Sequence, residues 1–162
     1  MSDLYPNKLL GYIVKNGEIN YCVTYDTSDC ACKFACNEFI SFIEQSTGAR
    51  LPINQNATAK FISIGRTEQY YKIKDEIDTY SLKDDGFCLY TKDDNLYIIG
   101  FNGRGNIYGV YEFLERYIGL KFLAYDETIV PKCDNLPLYQ FCLRILTLVH
   151  NIRSIKPIFI HH

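Results

Sequence analysis

Gly103, Arg104 and Gly105, with Gly109 four residues on, follow an apolar run and open an amphipathic stretch. In that position bare backbone amides could cradle a pyrophosphate. The spacing is G-x-G-x-x-x-G, one residue longer than the dinucleotide fingerprint, and no βαβ unit with an acid about twenty positions later accompanies it. The G-x-x-x-x-G-K form is missing too. These glycines read as a tight turn with close helix–sheet packing, so no nucleotide cofactor is expected. Cys30, Cys32 and Cys36 suggest a metal or redox cluster, and Cys32 and Cys36 share a helix face. Structural zinc takes four ligands, usually as paired C-x-x-C, and no second cluster completes the set. The thiols read as small buried apolar groups. Asp84-Asp85 and Asp93-Asp94 could do acid–base work, but adjacent acids at strand ends are turn residues. His150, His161 and His162 fall in the final stretch without a partner for base catalysis. Asn56-Ala57-Thr58 has the form of a glycosylation acceptor and reads as a polar loop. No G-x-S-x-G elbow occurs. No catalytic, cofactor-binding or metal-binding residue is assigned, and this chain alone is not expected to be an enzyme.

The totals set the frame for these residues. At 162 residues, 48% hydrophobic and 22% charged, the chain has the make-up of a globular protein large enough for a core of its own. A net charge of −2 with scattered Lys and Arg argues against nucleic acid as a partner. No run reaches the roughly 18 apolar residues of a membrane span. Seven cysteines behind an N-terminus, MSDLYPNKLLGYIVKNG, that lacks a leader pattern point to reduced thiols in the cytoplasm. A chain whose leader had been trimmed would look the same. The 14 Tyr and 10 Phe, with no Trp, suit half-buried strand and helix positions.

The elements follow from periodicity. Residues 8–25 predict a hairpin about Asn16-Gly17 whose second run continues into a central sheet. The group Asp26 to Asp29 offers N-caps to a helix reaching Ser46, with Cys32, Ala35, Cys36, Phe39, Ile40 and Ile43 on its buried face and Gly48 as its cap. Phe61–Gly65 is a short strand, and Arg66–Lys83 a short helix plus loop anchored by Tyr70, Ile73 and Ile77. Strands at 86–91 and 95–100 form a hairpin about Lys92-Asp93-Asp94. A helix then buries Ile107, Val110, Tyr111, Leu114 and Ile118 and ends at Gly119, followed by strands near 120–123 and 128–130. Character changes after Pro131. We therefore expect a domain over 1–132 and an atypical tail over 133–162, a truncated entry to something further.

The segments CKFACNEFISFIEQSTGARLPI, FISIGRT, DGFCLYTKDDNLYIIG and RGNIYGVYEFLERYIGLKFL carry a likeness. Over residues 14–131 the chain resembles the N-terminal accessory domain of family 20 β-N-acetylhexosaminidases and family 67 α-glucuronidases, as found in related bacterial glycosidase-like proteins. The resemblance implies an α+β fold: a mixed, mostly antiparallel sheet of about four main strands, two helices on one face, and the N-terminal hairpin. It also implies a role in carbohydrate metabolism as a non-catalytic domain packed on a (β/α)8 barrel that holds the catalytic acids and lies outside this chain. An apolar face formed by Tyr108, Tyr111 and Phe113 with the tail is expected to meet that barrel. The alternative is a stand-alone module binding oligosaccharide or protein through exposed tyrosines.

Overall fold

The structure, a computed structural model, describes residues 8–124, 126–140 and 142–145. Strands β1 (Leu9–Lys15) and β2 (Glu18–Ile19) meet at Asn16 and Gly17, whose φ angles of 52° and 81° give the turn that matches strand twist. The second run breaks at Asn20, and β3 (Cys22–Tyr25) leaves the hairpin for the central sheet. Helix α1 (Cys30–Thr47) starts where the Asp29 carboxylate accepts from the Ala31 amide at 2.9 Å. It stops where Gly48, at φ 83°, donates to the Glu44 carbonyl at 2.7 Å. The six apolar positions expected on its inner face are all buried.

Next come β4 (Phe61–Ile64), the single-turn α2 (Glu68–Tyr71), and 3-10 turns at Lys74–Glu76 and Tyr80–Leu82. The hairpin of β5 (Phe87–Lys92) and β6 (Asn95–Gly100) turns at Asp93 and Asp94, both in the left-handed region (φ 52° and 65°). Helix α3 (Gly103–Tyr117), the small pair β7 (Lys121–Ala124) and β8 (Glu127–Ile129), then β9 (Asn135–Tyr139) and β10 (Cys142–Ile145) complete the described chain.

The fold is α+β. The central sheet has the order β10-β5-β6-β4-β3, with β3–β4 and β4–β6 parallel and β6–β5 and β5–β10 antiparallel. Two-residue alternation sends Val23, Ile62, Ile64, Phe87, Leu89, Leu96 and Ile98 to the face covered by α1 and α3. Phe61, Cys88, Tyr97 and Ile99 point the other way, under Tyr70, Ile77 and Leu82 from the 66–83 segment. Both helices lie on one face as expected. The sheet gains a fifth strand because β10 pairs with β5, and a second sheet, β2-β1-β9, forms because β9 pairs with β1. Residues beyond 132 thus join both sheets, and Leu136 and Leu138 enter the main core.

One expectation is corrected. Tyr108, Tyr111 and Phe113 form no outward apolar face, since all three are buried. Helix α3 is buried continuously from Gly105 to Leu114 because the sheet lies on one side of it and α1 on another. The Tyr111 hydroxyl donates to Glu38 of α1 at 2.5 Å, and its ring meets Phe122 at 5.0 Å. Among the described residues no helix is long and apolar enough to cross a membrane.

Candidate functional site at the carboxyl edge of the parallel strands

The glycine loop is filled by its own chain. A Cβ on Gly105 would stand 2.5 Å from the Gly86 carbonyl oxygen, and one on Gly109 would stand 2.7 Å from Ile98 Cγ2. These glycines let α3 approach the sheet. Side-chain amides cap the loop: Gly105 N donates to Asn102 Oδ1 at 2.9 Å, and Gly100 N, before the loop, donates to Asn106 Oδ1 at 2.7 Å. The sequence reading as a packing turn therefore holds. It missed the two asparagines that complete the turn; an Asn just before a helical run was the available signal for Asn102.

The other candidates do not converge. Cys32 and Cys36 are buried in the main core while Cys30 is exposed, and the described residues contain no group of three or more potential metal ligands. Burial pushes the Cys36 thiol up to about 12. Burial first, then the nearby Asp29 and Asp26 carboxylates, push Cys32 higher still. Such thiols are poor nucleophiles and poor ligands at neutral pH. Asp84 and Asp85 sit in the turn before β5, where Asp85 pairs with Arg104 at 3.2 Å. Asp93 and Asp94 sit in the turn after it, and the Asp94 carbonyl accepts from the Tyr21 hydroxyl at 2.6 Å. His150, His161 and His162 lie outside the described residues.

The parallel strands β3, β4 and β6 end on one edge, at Tyr25, Ile64 and Gly100. A cavity of about 250 Å³ opens there, lined by Tyr25, Asp26, Gln55, Arg66, Glu68 and Tyr71 among others. Its wall is tied down. Gln55 Oε1 accepts from the Thr24 hydroxyl at 2.8 Å and the Tyr25 amide at 3.0 Å. Gln69 Nε2 donates to the Gln55 and Ala57 carbonyls at 3.1 and 2.9 Å. Asp26 Oδ1 accepts from the Ser28 amide and hydroxyl. The Arg66 guanidinium reaches the Gly100 and Phe101 carbonyls only at 3.4 Å. Of the lining residues the sequence singled out Asn56, in a glycosylation-acceptor pattern, and Asp26 and Thr27, as candidate helix caps. The others come from three separate segments whose meeting depends on the sheet order, so spacing could not bring them together. A second, larger hollow of about 610 Å³ lies at the starts of α1 and α3, where Ala31 and Phe34 give apolar surface and Lys33, Asn37, Asn102 and Arg104 also line it.

Residues 15–113 match the family described as Glycosyl hydrolase family 67 N-terminus. The chain belongs to this family. It is similar to "Probable alpha-glucuronidase A" of Aspergillus clavatus, with 41% identity over 76 residues, 46% of this chain. The match spans 9% of that curated relative's length. In fold it resembles a family 115 4-O-methyl-α-glucuronidase at TM-score 0.62 and 17% identity, covering 76% of this chain and 17% of that one. It also resembles the family 20 β-N-acetylhexosaminidase of Streptomyces coelicolor at TM-score 0.57 and 14% identity, covering 86% and 24%. The likeness to family 67 read from the sequence is borne out, and the likeness to family 20 holds at the level of fold. This is an N-terminal domain of the glycoside hydrolase kind.

Proposed function

We propose that the chain acts as the accessory N-terminal domain of an α-glucuronidase-type glycoside hydrolase, seated against a catalytic (β/α)8 barrel that performs the hydrolysis. The family match over residues 15–113 carries this reading, together with the small fraction, 9%, of a glucuronidase relative that the matched segment represents. The placement of the acids supports it. Glycosidases set two carboxyl groups roughly 5–9.5 Å apart across the scissile bond. Here the two acid pairs bracket β5, whose six residues span roughly 20 Å. Their geometry suits turns and an ion pair, and the chemistry is assigned to the barrel. Mixing this chain with a separately produced family 67 barrel should yield a complex on size-exclusion chromatography and a higher Tm for both partners. Absence of association at concentrations of order 100 µM, about −5 kcal/mol, would count against the reading.

A further inference from the structure

We propose that the cleft at the carboxyl edge of β3 and β4 binds a single neutral pyranose ring, such as the end residue of an oligosaccharide. The proposal is independent of the barrel reading, since every group it uses belongs to this chain. At about 250 Å³ the cleft lies just under the roughly 300–1,000 Å³ of pockets for drug-sized ligands, which suits one sugar ring. It also lies where open sheets with parallel strands collect ligand-binding loops, outside the carboxyl ends.

The chemistry is that of hydroxyl recognition. A ring hydroxyl both donates and accepts, so its site needs donors and acceptors side by side. Gln55 is fixed in orientation because Oε1 takes the Tyr25 amide proton, which leaves the Nε2 donors without a partner among the described residues. Asp26 uses Oδ1 on Ser28, leaving Oδ2 as an acceptor. Glu68 is exposed on the rim, and Arg66 has no carboxylate within ion-pair distance among the described residues. Tyr71 adds a ring that is 55% exposed, a surface for the C–H face of a sugar. The ring leans on Tyr70 at 5.4 Å, and Tyr70 itself is held in the second core. Charge sets the ligand class. Two carboxylates against one guanidinium leave the cleft net negative, which disfavours phosphates and uronates. The larger hollow at the starts of α1 and α3 differs in kind: Lys33 and Arg104 line it and, among the described residues, no carboxylate does, so it lacks the carboxylate acceptors that a neutral sugar's hydroxyls meet in the cleft.

The test is an amide NMR titration of the full chain with methyl β-D-glucopyranoside and, separately, methyl β-D-glucuronate (the β-glycoside with a free C6 carboxylate), which differs only in carrying a carboxylate in place of the C6 hydroxymethyl. The glucoside should give saturable shifts at the Tyr25, Gln55 and Tyr71 amides with a Kd of order 1 mM, and glucuronate should bind at least about fivefold more weakly. Tyr71→Ala, at an exposed position, should keep the wild-type fold by circular dichroism and weaken glucoside binding about tenfold. Glu68→Lys should bring glucuronate to parity with the glucoside or better. The proposal is overturned by no saturable shift at these amides up to about 50 mM. Tighter binding of glucuronate than of glucoside by the wild type, or unchanged affinity in Tyr71→Ala, overturns it equally.

Discussion

Asn106 is the residue on which the strand-to-helix reversal depends. Its side chain is buried in the first turns of α3, accepting from Gly100 N at 2.7 Å and donating to Cys32 Sγ at 3.2 Å. One amide thus joins the end of β6 to α1 across the helix that carries it. Asn106→Ala should cost about 2 kcal/mol, the penalty for stranding a buried N–H together with the lost bonds. The check is the midpoint of urea unfolding, and a midpoint equal to wild type would reject the assignment. Nearby Arg104→Ala is the contrast: its pair with Asp85 has a side chain 62% exposed, and such pairs contribute at most about 1 kcal/mol. The glycines of this loop were legible in the sequence as a turn, because a positive φ or a missing Cβ leaves a compositional trace. Asn106 was not, since a lone amide inside an apolar helical stripe has no periodic signature; only its two partners define it.

At the scale of elements, legibility followed periodicity. Helices α1 and α3 and the two hairpins at Asn16-Gly17 and Asp93-Asp94 emerge where expected, each with strong 3.6-residue or two-residue patterning and a capping or turn residue at its end. The 66–83 segment gave only three apolar anchors, and its role in covering the second face of the sheet had to come from packing. How the pieces clamp together is a matter of buried hydroxyls. Tyr21, just before β3, donates to the Asp94 carbonyl in the β5–β6 turn and so ties the first strands to the far hairpin. Burial, then the Asp94 charge, pushes Tyr21 up to about 12 from an ordinary value of 10.0. Burial likewise raises Tyr97 to about 12. A raised folded value means that the native state holds the proton more tightly than the unfolded chain. The contribution is complete below pH 10, where both states are protonated, and is lost as pH rises through the interval from 10 to 12. Cys36 acts in the same direction from its ordinary value of 9.0 upward. Tm should therefore hold steady from neutrality to about pH 9 and fall steeply between 10 and 12. Tyr21→Phe, lacking a titrating phenol, should fall less steeply over the same interval. A wild-type Tm that stays flat to pH 12 would refute the account.

Across the whole molecule, the last strands decide whether the sheets are complete. The composition of the chain sets a boundary after 132, because Pro137 interrupts the short alternation of Leu136 and Leu138 and the run from Leu143 to Val149 is almost continuously apolar. The pairing runs past that point. Residues Leu136 and Leu138 are buried at 0% and 1% exposure against β1, with Val14 opposite Leu136 in the register. The approach to β9 is pinned to α1, since Ser46 Oγ donates to the Pro131 carbonyl at 2.6 Å and the Cys133 amide donates to the Ser46 carbonyl at 3.0 Å. Burying two leucines is worth on the order of 3–6 kcal/mol, comparable with the roughly 5–15 kcal/mol that holds a whole domain. Removing β9 and β10 would also leave β1 and β5 with open hydrogen-bonding edges, and open edges recruit other chains. A fragment ending at Lys132 should lose its cooperative thermal transition and aggregate, whereas one ending at Ile145 should melt cooperatively. Cooperative melting of the shorter fragment within about 4 °C of the longer one, equivalent to under roughly 1 kcal/mol, would show that β9 and β10 decorate a core already complete without them. The predicted loss instead makes residues 9–145 the unit that folds.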